Sequence, residues 1–131
     1  ESEKRRIDAF DYAYTSGAIG NRRAFVETPP GDGVPDGMTV DAEGYLWSAR
    51  WDGGRLVRYD PTGRPVREVA VPARKVSSLA FAGPGRTELY ATTALTDGDR
   101  AAEGEGAGAL FRVRDPGAAG VPAFRSRIAV D

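Results

Sequence analysis

Leu56-Val57-Arg58-Tyr59-Asp60-Pro61-Thr62-Gly63 is the middle of three versions of one phrase. An alternating apolar and polar strand reaches an Asp, a turn built on Gly or Pro follows, and a second strand leaves it. Ile7-Asp8-Ala9-Phe10-Asp11 precedes it and Leu110-Phe111-Arg112-Val113-Arg114-Asp115 follows it, at a period of roughly 50 residues. Repeats of that length with about four short strands each describe β-propeller blades, because one sheet cannot bury both its faces alone and must stack on a neighbour.

Outward from this phrase the strands fall into order. Tyr45 to Trp51 is aromatic and small-apolar between Glu43-Gly44 and Asp52-Gly53-Gly54, a buried strand between two turns. Gly37 to Asp41 reads as the short strand before it, with Pro35-Asp36-Gly37 as a turn. Pro61-Thr62-Gly63 turns Arg55–Asp60 into Pro65–Val71 and completes four strands. The next unit repeats the order as Ser77–Ala82, Glu88–Ala94, Gly108–Arg114 and Val121–Arg125, with a polar Gly/Ala-rich loop from Leu95 to Ala107. Residues 5 to 27 form a two-stranded remnant of a preceding unit. Helical spacing is essentially absent. The fold class is all-β, about two and a half blades of antiparallel four-stranded sheets, and the whole chain, 1–131, is the C-terminal portion of a single propeller domain.

The bulk numbers exclude several functions. The 131 residues suffice for one domain with a real core. With 18 basic and 19 acidic residues and a net charge of −1, no field favours nucleic acid or an anionic membrane. There is no Cys and no His, which removes disulfides, thiolate nucleophiles and the commonest general base. No apolar run approaches the length of a membrane span and no signal peptide is visible, so the expected location is the cytoplasm. A partial propeller leaves blade faces open, and self-association through those faces is expected.

In a blade lettered from the innermost strand, alternate connections open on alternate ends. Pro35-Asp36-Gly37, the Trp51–Gly54 turn, Val76-Ser77 and the 95–107 loop therefore share one end. Asp41, Glu43, Asp60 and Asp115 lie at the other and read as turn carboxylates that bond nearby backbone amides.

Val34-Pro35-Asp36-Gly37-Met38-Thr39-Val40-Asp41-Ala42-Glu43-Gly44-Tyr45-Leu46-Trp47, together with Gly53-Gly54-Arg55-Leu56, Ile7-Asp8-Ala9-Phe10-Asp11-Tyr12 and Asn21-Arg22-Arg23, resembles the SMP-30/gluconolactonase/regucalcin family. The resemblance implies the C-terminal half of a six-bladed propeller. It also implies metal-dependent hydrolysis of sugar lactones in the complete protein. A divalent ion (Ca2+, Mg2+, Mn2+ or Zn2+) is the implied cofactor and a sugar lactone the implied partner. Such an ion would polarise the lactone carbonyl and lower the pKa of bound water. Of the ligands implied by the family, an N-terminal Glu, a mid-chain Asn and the Asp of Pro-Asp-Gly, only Asp36 matches. Glu1 and Glu3 lack the family context, and Asn21 sits outside the ligand segment.

Asp36 is thus the metal ligand and candidate catalytic residue, with a plain turn residue as the competing reading. Trp51 and Asp52 are candidate substrate-facing residues, one an aromatic wall and the other a hydroxyl acceptor, although Trp51 could equally pack on the adjoining blade. Trp47 reads as core. Asp97, Asp99, Glu103 and Glu105 read as a solvated, mobile loop, since their spacing has no EF-hand order. Arg5-Arg6 and Arg22-Arg23 read as strand surface. Two alternatives to the enzyme stay open: a non-catalytic calcium-binding or regulatory propeller, and a truncated remnant inactive alone.

Overall fold

A computed structural model describes residues 2–123. A short 3-10 turn at Ser2–Lys4 leads into β1 (Arg6–Tyr12) and β2 (Ile19–Glu27), which pair as a hairpin. A four-stranded sheet follows from β3 (Val34–Val40), β4 (Leu46–Trp51), β5 (Arg55–Tyr59) and β6 (Pro65–Ala70). The third sheet holds β7 (Val76–Ala82), β8 (Glu88–Thr93) and β9 (Leu110–Val113), with a single-turn helix α1 (Arg100–Glu103) between β8 and β9. Every ladder is antiparallel and joins strands adjacent in sequence. The three sheets do not close on one another, so the chain is a partial propeller.

The sequence of β4 explains why the sheets stack. Its residues Trp47, Ser48, Ala49 and Arg50 are all buried, which a sheet solvated on one face would not require. Trp47 and Ala49 join Leu56, Val76, Leu79, Leu89 and Ala91 in the core between the second and third sheets. The Trp47 ring meets Phe81 edge to face, with centroids 6.0 Å apart. On the other face Val57 and Tyr59 meet Ile7 and Val26 of the first hairpin. Complete burial of a side chain such as Leu56 or Leu89 contributes about 1.5–3 kcal/mol. Arg50, only 1% exposed, enters this second layer through bonds from its guanidinium to Thr28 Oγ1 (2.6 Å) and to the Tyr59 hydroxyl.

Four expectations change. Pro35-Asp36-Gly37 is not a turn, because β3 already begins at Val34. The register jumps from Pro35↔Arg50 to Met38↔Ser48, so Asp36 and Gly37 form a bulge inside the strand. Gly37 is required there by close approach: a Cβ would stand 2.5 Å from Ser78 Oγ and 2.7 Å from Ser78 Cα. Second, the 95–107 segment is folded and carries α1, capped by Asp99, whose carboxylate accepts from the Ala101 and Ala102 amides. Third, no strand forms over residues 121–123, and the remainder of the expected strand Val121–Arg125 lies outside the described residues. Fourth, Arg5 is no strand-surface residue. It precedes β1 at positive φ, and its guanidinium donates to the carbonyls of Thr28, Pro29 and Gly33.

Candidate functional site

The bulge in β3 is what presents Asp36. An extra residue in one strand re-aims the side chains beside it, and Asp36 lines a cavity of about 430 Å3 together with Ser2, Glu3, Val34 and Trp51. Ser2 Oγ donates to the Pro35 carbonyl at 2.8 Å, which lays the N-terminal turn against β3. Burial pushes the Asp36 carboxyl above the ordinary carboxylate range, and a bond from the Gly37 amide only partly offsets it. A carboxylate disfavoured in its charged form gains from a cation or a proton brought to it.

Trp51 stands on this cavity, as the shared end of the blade requires. Asp52 does not line it. Its backbone takes φ 59° and its carboxylate pairs with Arg74 Nε at 2.9 Å. Glu3 shares the cavity with Asp36, although its sequence context does not match the family's ligand. Asn21 is remote: its Nδ2 donates to Asp11 Oδ2 at 2.8 Å on the exposed first hairpin. Glu1 lies outside the described residues.

The opposite end is built from carboxylates with structural work. Asp41 is 1% exposed and accepts from the Glu43 and Tyr45 amides and Trp47 Nε1 at 3.0 Å each, and from Arg58 Nε at 2.8 Å. Burial alone would raise its pKa, but those bonds win and hold it below the usual range. Asp60 is lowered to about 2, chiefly by the Thr62 hydroxyl, with the Thr62 and Arg64 amides adding to it. Asp60 behaves as the turn carboxylate expected of it, and Asp41 adds to its turn amides the side chains of Trp47 and Arg58.

Sequence reasoning missed Lys75, beside Trp51, and the role of Glu103 in holding it. Lys75 Nζ lies 5.8 Å from the centre of the Trp51 ring. It reaches Glu103 Oε2 and Asp97 Oδ2 at 3.2 Å each and also Thr96 Oγ1. Glu103 is only 2% exposed, so the acidic loop is not simply solvated. One signal was available: all basic residues except Lys4 and Lys75 are Arg.

The described residues do not assemble a complete divalent-metal site. Among them no group of three Asp or Glu side chains stands close enough to hold an ion, and a hard cation takes six or more oxygens. Asp36 offers one carboxylate.

The sequence pattern described as the SMP-30/Gluconolactonase/LRE-like region matches residues 1–95. The chain belongs to that family. Pentonolactonase XacC of Haloferax volcanii is 47% identical over 134 residues, covering 98% of this chain and 46% of that protein. Regucalcin of Gallus gallus is 40% identical over 121 residues, covering 90% of this chain and 40% of its own length. Among solved structures, a luciferin-regenerating enzyme superposes with a TM-score of 0.83 at 33% identity, over 97% of this chain and 43% of that one. The chain thus spans less than half the length of these SMP-30/gluconolactonase relatives. No helix among the described residues is long and apolar enough to cross a membrane.

Proposed function

We propose that this chain is the part of a sugar-lactone hydrolase that carries Asp36 and the Trp51 wall of the substrate cavity. The observation that carries the reading is the bulge in β3, which turns a partly buried carboxylate with a raised pKa into a cavity shared with an aromatic ring. Sugar rings present apolar faces suited to stacking on such a ring, and their hydroxyls need polar neighbours. A relative named pentonolactonase supports a sugar lactone as the substrate class. Asp36 is one oxygen ligand of a divalent ion whose remaining ligands come from outside the described residues, and no catalytic step rests on this chain alone.

The regucalcin relatives favour a second reading, a calcium-binding propeller without turnover. Both readings use Asp36, so activity separates them. In the complete protein, Asp36→Ala removes metal affinity and lactone hydrolysis together, followed by calorimetry with Ca2+, Mg2+, Mn2+ and Zn2+ and by proton release from gluconolactone. Metal binding without hydrolysis by the unsubstituted protein selects the second reading, and full activity of Asp36→Ala removes both. The 131-residue chain alone binds metal weakly and hydrolyses nothing above buffer.

A further inference from the structure

The Trp51 side chain, at the end of β4, is approached by a segment that follows β6. Residues 71–75 bracket the turn that follows Trp51: the Gly54 amide donates to the Arg74 carbonyl at 3.0 Å and the Val71 amide to the Gly54 carbonyl at 2.9 Å. Arg74 Nε pairs with Asp52 in the same turn. Lys75, the next residue, brings its ammonium over the Trp51 ring.

That ammonium is itself fixed by the 95–107 segment. The Glu103 carboxylate accepts from the Asp97 amide at 2.8 Å and the Thr96 amide at 3.3 Å while pairing with Lys75 at 3.2 Å. The main chain repeats the tie, since the Arg74 amide donates to the Glu103 carbonyl at 2.7 Å and the Gly106 amide to the Pro72 carbonyl at 2.9 Å. Lysine carries a flexible four-carbon stem. Here three oxygen-bearing side chains hold its end near the distance limit at which a cation still attracts an aromatic face.

We propose that Lys75, clamped by Glu103, is a positioning residue that sets the Trp51 ring as the wall on which the substrate ring lies. The 95–107 segment then acts on the cavity without lining it. The assignment of Trp51 to a sugar rests on the functional reading above; the positioning itself does not, and its test needs no substrate.

The test uses the 131-residue chain labelled with 5-fluorotryptophan, whose two tryptophans give two fluorine resonances assigned by Trp51→Phe. Trp47 is fully buried and reports whether the blade is intact. Lys75→Met keeps the stem and removes the charge. It is expected to shift the Trp51 resonance toward that of free fluoroindole and to increase its quenching by acrylamide, with Trp47 unmoved. Lys75→Arg, which keeps a cation over the ring, restores both. Should Lys75→Met also displace Trp47, the double variant Lys75→Met/Glu103→Gln removes the charge without leaving its buried partner unpaired, and the same shift confined to Trp51 is expected. A Trp51 resonance that stays in place in a variant with Trp47 intact overturns the proposal. So does a shift that Lys75→Arg fails to reverse.

Discussion

Asp36 and Asp41 are five positions apart and respond to pH in opposite directions, because one is partly buried with little compensation and the other lies among donors. For Asp36 the folded pKa is raised. Its favourable contribution is complete below the ordinary carboxylate pKa and is lost as pH rises through the folded value. In the absence of metal the charged Asp36 therefore costs stability at neutral pH. Asp36→Asn is expected to raise the urea midpoint at pH 7 in chelator and to match the parent near pH 3, where both side chains are neutral. A lower midpoint at pH 7 would show that the carboxylate is satisfied. For Asp41 the folded pKa is lowered, so its contribution is present at neutral pH. Asp41→Ala leaves the Trp47 indole N–H without its acceptor and takes from Arg58 one of two carboxylate partners, Glu43 remaining at 2.6 Å, and is expected to cost about 1–3 kcal/mol in urea denaturation at pH 7. This exceeds what a surface turn residue would cost. The excess arises from Trp47, whose bond to Asp41 crosses the β3–β4 turn to a fully buried side chain and leaves no trace in the spacing of turn residues.

At the scale of elements, the hairpins were readable because their information is local. Leu56–Gly63 contains its own alternation, its own Asp and its own turn, and the register Arg55↔Ala70 to Arg58↔Arg67 follows from them. The β3 bulge was not readable for the converse reason. Pro-Asp-Gly carries a strong turn signature, and the close approach of Ser77 and Ser78 of the next sheet, which leaves no room for a Cβ at Gly37, is a tertiary fact outside that tripeptide. The 95–107 segment is similar. Its Gly, Ala and acidic residues look solvated until Lys75 supplies a partner for Glu103. Glu103 is lowered to about 2, first by the Asp97 amide, and Asp60 also to about 2. Both contribute stability above the ordinary carboxylate range and lose it as pH falls from about 4 toward 2. The urea midpoint of the parent chain is expected to fall steeply in that window, and Glu103→Gln to flatten the fall. An unchanged slope in Glu103→Gln would place the acid sensitivity elsewhere.

For the molecule as a whole, the incomplete ring is the governing fact. Met38 and Val40 of β3 are exposed beside Ile7, Ala9 and Leu46 in an apolar groove of about 310 Å3, and Leu110 on β9 is exposed as well. Apolar faces of this kind drive association. The 131-residue chain is expected to scatter light as a dimer or larger at micromolar concentration, and Met38→Lys/Val40→Lys to shift it toward monomer. A monomeric parent would show that these faces tolerate water.

The strand order carries a separate consequence for how such a molecule comes into being. Each strand in the three sheets bonds to the strand before or after it in the chain, so no ladder waits for a distant segment to arrive. Closing short loops costs little entropy, and meanders of this type can form one after another as the polypeptide emerges from the ribosome. Registers would then be settled before a ring exists to be closed. Two polypeptides each bearing part of the circle could meet as ready-made pieces, their union limited by encounter and not by rearrangement.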